Sequence, residues 1–363
     1  MNTNFYPLRV RDVRADTDDA VVVTFDLPDA LADTFRFSAG QYLTLRQHVD
    51  GSDLRRSYSI CSGVDDHGLS VAVRKVAGGA FSNWVNDALR AGDDIEVMPP
   101  QGTFHVIAPE SADTPRRGRE FLFIAAGSGI TPILSIMKTV LAREPHCHCT
   151  LIYGNRMQST TMFKEELEDL KNLYMTRVVL HHVFSREQTD APMSSGRLDR
   201  EKIGEVVRTL VGVDSIDHAF ICGPHQMNDE AYAALLEEGL AAERIHIERF
   251  GAPPPVAGVV ARAERVDVAP LARVTIVRDG MHREIGFKKA DASILEAASG
   301  AGLEMPFSCK SGVCCTCRAK LLRGEVRMER NFALDKAEID AGFVLTCQAY
   351  PVTEEVVLSF DER

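Results

Sequence analysis

The feature that most restricts this chain is a spacing of cysteines near its C-terminus. Cys309, Cys314 and Cys317 stand in a Cys-x4-Cys-x2-Cys run, and a fourth, Cys347, follows well downstream. Plant-type domains ligate a [2Fe-2S] cluster with this spacing. Two irons need four thiolates converging on a small inorganic core, so three come from one tight loop and the fourth from a distant segment. Gly312 and the small residues Ser308, Ser311 and Thr316 let the loop backbone approach the inorganic sulfurs and donate N–H bonds to them. Cys315 is expected to point away from the cluster and to pack. A structural zinc site is the alternative, and it would ordinarily show two Cys-x2-Cys pairs or histidine ligands.

A chain of 363 residues exceeds one ordinary hydrophobic core, so three domains are expected. There are nine cysteines, and the N-terminus, MNTNFYPLRVRDV, has no basic stretch followed by an apolar one. Cysteines in that setting point to metal or redox chemistry before disulfides, and the expected compartment is the cytoplasm. No run approaches the roughly eighteen apolar residues of a membrane span, so no membrane is expected as partner. The formal charge of −11 argues against nucleic acid, which needs clustered Lys and Arg to neutralise phosphates. It leaves a protein partner with a basic face open.

Residues 1–110 read as short strands (Ala20 to Phe25, Tyr42 to Arg46, Leu69 to Arg74, Asp94 to Met98) broken by Gly, Pro and Asp, which predicts an antiparallel β-barrel or sandwich. After the polar stretch Pro109 to Arg119, residues 118–250 alternate apolar runs (FLFIAA, TLIYGN, VVLHHVF, HAFICG) with helical periodicity (ILSIMKTVLA, FKEELEDLKN, Met227 to Leu240). That alternation predicts an α/β domain on a parallel sheet. Residues 251–272, opening GAPPP, read as a linker. Residues 273–363 offer strands RVTIVRD, HREIGF and EEVVLSF and a helix near Ala292, an α+β domain around the cysteine loop.

Arg56-Ser57-Tyr58-Ser59 closes a strand-like segment, and Gly78-Gly79-Ala80-Phe81-Ser82 follows it. The set suits a dinucleotide. Arg56 can neutralise pyrophosphate, Tyr58 offers a ring face and a hydroxyl to a flavin, and the backbone after Gly79 offers N–H groups to phosphate at the start of the helix FSNWVNDAL. Alone, RSYS also reads as a strand end with an ordinary turn. Gly127-Ser128-Gly129-Ile130-Thr131-Pro132 lies between a buried strand and an amphipathic helix, the setting of a dinucleotide site, with Pro132 where the third glycine of GxGxxG would stand. Cys222-Gly223-Pro224 closes the strand HAFI where ligands of open α/β folds bind; in isolation it reads equally as a buried cysteine before a turn. His146-Cys147-His148-Cys149 invites a metal, but strand residues alternate between faces, so the four cannot readily share one ion. FKEELEDLKNL reads as a solvated helix face.

Together RSYS, the GGxFS segment, GSGITP, CGP and the triplet Glu248 to Phe250 resemble the ferredoxin-NADP reductase superfamily, with a plant-type ferredoxin domain attached at the C-terminus as in oxygenase reductases. The stretches DLRR, EVMPPQGTF, IAAGSGITPIL, LIYGNR, FICGP and ERF are similar to the reductase subunits of phenylacetyl-CoA epoxidases. The resemblance implies an FAD-binding barrel, an NAD(P) domain and a β-grasp-like ferredoxin domain. It places Arg56, Ser57, Tyr58 and Ser59 on FAD, with Ser59 near the reactive edge of the ring, and continues that site through Val73 to Lys75 and through Gly79, Phe81 and Ser82. It places Gly127, Ser128, Gly129, Ile130 and Thr131 on the nicotinamide nucleotide's pyrophosphate, Cys222 beside the nicotinamide with Gly223 and Pro224 next to it, and Phe250 over a flavin face. Cys61 and Trp84 receive no role.

Ser185-Arg186 resembles the 2′-phosphate clamp of plant-type ferredoxin-NADP reductases. The second strand of the α/β domain ends in Asn155 and Arg156 rather than in an Asp or Glu that would hold a free ribose hydroxyl. NADPH is therefore expected over NADH; the alternative is that Ser185 and Arg186 merely open a solvated loop. The implied acceptor is a separate oxygenase, a di-iron epoxidase acting on the ring of phenylacetyl-CoA. A reductase for a ring-hydroxylating dioxygenase or steroid hydroxylase, and an electron-transfer or redox-sensing subunit that oxidises no nicotinamide, are the alternatives. Hydride transfer to a flavin needs no protein acid or base, which accords with a sequence lacking paired carboxylates or a catalytic triad.

Overall fold

Apolar and polar residues alternate through much of the N-terminal third, and the chain folds there into six strands. The computed structural model describes residues 4–49, 51–106, 118–189, 191–251 and 271–362. The strands are β1 (Tyr6–Thr17), β2 (Ala20–Asp26), β3 (Tyr42–Val49), β4 (Ser52–Ser59), β5 (Leu69–Arg74) and β6 (Asp94–Gln101), with helix α1 (Ala80–Asp87) before the last. Strand β1 buries Leu8 and Val10 and exposes Arg9 and Arg11, the period-two pattern of a half-buried strand. The sheet order is β4-β3-β6-β1-β2-β5. Ile60, just past β4, bridges antiparallel to Val71 in β5, so the two edges meet and the antiparallel sheet closes into the expected barrel. Phe25, Leu43, Leu45, Phe81 and Ile95 fill it.

The α/β domain runs β7 (Glu120–Ala126), α2 (Ile130–Arg143), β8 (His148–Asn155), α3 (Lys164–Leu173), β9 (Val178–Phe184), α4 (Arg200–Leu210), β10 (His218–Gly223), α5 (His225–Glu237) and β11 (Ile245–Arg249). Its five strands are parallel in the order β11-β10-β7-β8-β9. Successive residues of β7 are apolar on both faces because helices cover both. Phe121 and Phe123 meet α2 and α3, while Leu122 and Ile124 meet α4 and α5. The order reverses between β7 and β10, which opens a crevice at their C-terminal ends.

Two residues fix that crevice. Gly127 has φ +54°, and a Cβ on Gly129 would stand 2.0 Å from the Cys222 carbonyl oxygen. The start of α2 therefore lies against the end of β10 more closely than any side chain permits. Pro132 occupies the first turn of α2, where a backbone N–H has no helical acceptor to lose. Close packing falls to Gly129, so the missing third glycine costs nothing.

The barrel and the α/β domain form one unit, Phe5–Leu54 with Tyr58–Phe250; the other holds Gly251–Arg363 with Met1–Asn4 and the short run Arg55–Ser57. Within the first unit Ala20, Val22, Cys61, Ala72 and Phe104 of the barrel share a core with α2 and β7. The tip of the β1–β2 hairpin also reaches across. Both carboxylate oxygens of Asp16 accept the Phe163 N–H at 3.1 Å, fixing the left-handed residue (φ 56°) that opens α3.

The C-terminal domain has β12 (Leu271–Arg278), β13 (Met281–Lys288), α6 (Ile294–Gly300), β14 (Arg318–Arg323), β15 (Val326–Met328), α7 (Lys336–Asp340), β16 (Phe343–Leu345), β17 (Ala349–Pro351) and β18 (Glu355–Ser359). Its main sheet is ordered β13-β12-β18-β14-β16 and is mixed. Helix α6, capped by the Ser293 hydroxyl on the Glu296 N–H, packs Ile294, Leu295 and Ala298 onto Phe287, Leu345 and Leu358, a β-grasp-like arrangement. Strand β12 begins at Leu271, inside the stretch read as linker, because Ala272 already points into this core. The rest of that stretch, 252–270, and most of Pro109 to Arg119 lie outside the described residues. Sequence periodicity also passed over β1, α4 and the short strands β14 to β17.

Gly129→Ala is expected to lower stability by roughly 1–3 kcal/mol, the ordinary cost of overpacking, as read from chemical denaturation, because the obstructing atoms are backbone.

Candidate redox and nucleotide sites

The cysteine loop holds its sulfurs in two pairs. Cys314 Sγ donates to Cys309 Sγ at 3.1 Å, and Cys317 and Cys347 lie near enough to shift each other's thiols. In each pair one thiol shifts down and the other up: the partner sulfur lowers Cys309 and Cys347 and raises Cys314 and Cys317, since one proton serves two sulfurs. Backbone donors add to this. Ser311 N–H points at Cys309 Sγ (3.4 Å), and the Gly312 N–H serves Cys347. Lys310 and Gly312 both have positive φ, 52° and 80°, the alternation that turns successive N–H groups inward. Cys347 is pinned from both sides: Thr346 Oγ1 donates to the Cys317 carbonyl at 3.0 Å, and Gln348 Nε2 to the Lys310 carbonyl at 3.0 Å.

Two pairs of thiols suit two irons, each taking two protein sulfurs. A structural zinc site would instead gather its ligands round one point, ordinarily with two Cys-x2-Cys pairs or histidines. Cys315 turns away, its Sγ toward the Ala333 carbonyl (3.6 Å), and packs on the domain core.

On the barrel, Tyr58 is half-buried and stacked at 6.0 Å on Phe81, Ser59 is buried, and the Arg56 guanidinium folds back onto the Arg55 carbonyl at 2.7 Å. Ser82 Oγ accepts the Val76 N–H at 3.1 Å, and Asn86 Nδ2 donates to the Val73 carbonyl at 3.0 Å, tying the end of β5 to α1. Gly79 caps α1 with no side chain, so the first-turn N–H groups face outward as an anion cradle. The donor set fits a flavin dinucleotide. Trp84 packs against Phe81 at 5.8 Å. Cys61 is a core residue whose thiol burial pushes up to about 12.

The crevice is a cleft of about 1060 Å³, lined by Gly127, Ser128 and Gly129, by Gly223 and Pro224, and by Phe250. Tyr153 Oη donates to the Gly127 carbonyl at 2.9 Å, and Thr131 Oγ1 to the Ser128 carbonyl at 3.0 Å. Ile130 is fully buried and does not line the cleft. Cys222 is buried beneath it, and burial raises its thiol well above the usual range. Its register partner on β11, Glu248, is pushed up to about 8 by burial. At the far end Asn155, Arg156, Ser185 and Arg197 line the wall, whereas Arg186 does not. The amide nitrogen of Asn155 lacks a close hydrogen-bond partner among the described residues. Arg74 and Lys75 of the barrel complete the wall with Asp19.

Sequence reading missed Asp19, the Arg74 side chain, Arg197 and the supporting Tyr153, because they come from separate elements and share no local spacing. In the His146 to Cys149 run the two cysteines are buried and the two histidines exposed, as alternation requires. No described helix is long and apolar enough to cross a membrane.

Comparisons with known proteins agree with this geometry. Residues 7–106 match the oxidoreductase FAD-binding domain family, 123–232 the oxidoreductase NAD-binding domain family, and 276–352 the 2Fe-2S iron-sulfur cluster binding domain family. The chain is 44% identical over 361 residues to one of the subunits of the 1,2-phenylacetyl-CoA epoxidase of Escherichia coli K12, covering 99% of each. It is 35% identical over 369 residues to the ferredoxin reductase component of the 3-ketosteroid-9-alpha-monooxygenase of Mycolicibacterium smegmatis, covering 100% of this chain and 99% of the relative. Among solved structures, phthalate dioxygenase reductase shares the fold with a TM-score of 0.59 at 24% identity, covering 98% of both chains. A type IV self-sufficient cytochrome P450 monooxygenase does so with a TM-score of 0.69 at 19% identity, and this chain spans 41% of that longer protein. The chain belongs to the family of FAD- and NAD-binding oxidoreductases with a 2Fe-2S domain that are the reductase components of oxygenase systems.

Proposed function

We propose that the protein oxidises NADPH and delivers the electrons to a separate oxygenase, a di-iron epoxidase acting on phenylacetyl-CoA. The observation that carries the reading is the succession of three sites on one chain: an open dinucleotide cleft, a flavin cradle and paired thiols. Bound in them, FAD accepts a hydride and releases electrons singly, and a [2Fe-2S] cluster carries one electron at a time.

Each residue then has a task. Cys309, Cys314, Cys317 and Cys347 would hold the cluster, and the N–H groups of Ser311 and Gly312 would stabilise their thiolate charge. Arg56, Ser57, Tyr58 and Ser59 bind FAD, with the backbone of Val73 and Lys75 and the α1 start at Gly79, Phe81 and Ser82. Gly127, Ser128 and Gly129 receive the nicotinamide nucleotide, whose pyrophosphate lies beside the Arg74 guanidinium, while buried Thr131 braces the turn through the Ser128 carbonyl and Ile130 packs beneath it. Cys222, Gly223 and Pro224 floor the nicotinamide end, and Phe250, which lines the cleft, would cover a flavin face.

NADPH is favoured by the cations at the adenosine end. Arg156 and Arg197 suit a phosphate dianion through charge-assisted bonds, Ser185 adds a hydroxyl, and Asn155 offers a donor where an NADH site would offer an accepting carboxylate. Arg186, the residue expected from sequence, stands next to this group. The epoxidase is supported as acceptor by the 44% identity to an epoxidase component, against 35% to the steroid monooxygenase component. The latter supports a steroid hydroxylase as the second reading.

Anaerobic NADPH is expected to bleach both flavin and cluster absorbance, and failure to bleach either would leave the non-oxidising subunit as the better reading. Arg197→Ala should cut kcat/KM for NADPH roughly 10–100-fold, the worth of one charged hydrogen-bonding partner, and leave NADH nearly unaffected; equal losses for both would point to an NADH enzyme. Cys314→Ser should abolish the cluster's absorbance while NADPH still reduces the flavin, and loss of both would contradict separate sites. Among purified oxygenases, the phenylacetyl-CoA epoxidase should give product with this reductase faster than a steroid hydroxylase does.

A further inference from the structure

We infer that Asp19, in the turn between β1 and β2, is a positioning residue for the nicotinamide nucleotide: it holds the Arg74 guanidinium beside the glycine turn at Gly127. The inference rests on the reading of the cleft as the nucleotide site and of Arg74 as the pyrophosphate's neighbour.

The two side chains come from different hairpins of the barrel and meet at the cleft wall. Arg74 Nε donates to Asp19 Oδ2 at 2.9 Å, and Thr17 Oγ1 donates to Asp19 Oδ1 at 2.9 Å. The Lys75 N–H donates to the Asp19 carbonyl at 2.7 Å, so both backbone and carboxylate of Asp19 are fixed by the end of β5 and its own turn. Asp19 grips the guanidinium by its Nε edge. Arg74 Nη1, free of that grip, reaches to 3.7 Å of the position a Cβ on Gly127 would take, and the Gly127 carbonyl is itself held by Tyr153. An arginine side chain has many rotamers, and binding an anion through it costs less when one edge is already anchored.

A carboxylate in the wall of an anion site is otherwise unfavourable. Burial alone would raise the Asp19 carboxyl; the hydrogen bonds from Arg74 and Thr17 outweigh it and hold the group below the usual carboxylate range. Asp19 is thus ionised at neutral pH, and its charge is committed to Arg74.

These facts give opposite signs for two roles. If Asp19 only contributed negative charge to the wall, Asp19→Asn would relieve repulsion and tighten the dinucleotide. If it positions Arg74, the same change releases the guanidinium and weakens binding. The test is steady-state kinetics of the holoenzyme with whichever of NADPH and NADH has the lower KM. Asp19→Asn is expected to raise KM about tenfold, equivalent to one decade of affinity, with kcat within about twofold and flavin and cluster absorbance unchanged. Arg74→Ala should raise KM at least as much, and the double variant should match Arg74→Ala alone, since the two act through one group. Asp19→Glu, which keeps the charge but displaces the guanidinium, should raise KM by an intermediate factor and serves if the Asn variant fails to fold. An unchanged or lowered KM in Asp19→Asn, or effects that multiply in the double variant, would overturn the positioning role while leaving Arg74 in the site. An unchanged KM in Arg74→Ala would overturn the reading of Arg74 beneath it.

Discussion

The pairing of four sulfurs two by two is the constraint on which the rest depends. A loop that brings Cys314 to 3.1 Å of Cys309 has to bend through positive φ at Lys310 and Gly312. That bend turns N–H groups toward the thiols, and it leaves Cys317 to meet Cys347 across from β14. The contact between Thr346 and the Cys317 carbonyl then ties the loop to the segment after β16, so the β-grasp-like sheet and the cysteine loop are one structure. A two-iron cluster handles single electrons, whereas a nicotinamide surrenders a pair. A flavin between them meets that need, and the barrel, whose helix α1 has no side-chain cap, matches an FAD-binding domain.

In the other unit the corresponding constraint is the approach of Gly129 to the Cys222 carbonyl. It brings the end of β10 and the start of α2 together, opens the crevice at the reversal of strand order, and sets Gly223 and the Gly127 turn on its wall with Cys222 buried beneath. The barrel contributes the rest of that wall. Its β1–β2 hairpin anchors α3 through Asp16 and Arg74 through Asp19, so one turn of the barrel helps shape the cleft wall.

Much of this was legible in the sequence where the determining residues are close together. The Cys-x4-Cys-x2-Cys run announces its chemistry because three ligands share one loop. The strand HAFICG matches β10 because, after His218, every residue is buried, and VVLHHVF matches β9 because its β-branched and aromatic residues favour a strand although only Val178 and Val183 are fully buried. The failures have physical reasons as well. Strand β1 is apolar on one face for only part of its length, and α4 (REKIGEVVRTL) buries just Ile203, Gly204, Val206 and Val207 among charges, so neither stands out. The linker reading ran into β12 because Leu271 and Ala272 continue its apolar, small-residue composition. At the far end of the cleft the sequence pointed to Ser185 and Arg186, and the wall carries Ser185 with Arg156 and Arg197; Arg197 arrives from the segment before α4, beyond the reach of any local pattern.

Whether the four cysteines hold a two-iron cluster is decided by iron, zinc and acid-labile sulfide analysis of the purified protein together with Mössbauer spectroscopy of iron-57-labelled samples. The account requires two irons and two sulfides per chain, with one ferric and one ferrous iron after one-electron reduction. A single zinc or iron per chain, without sulfide, would contradict it.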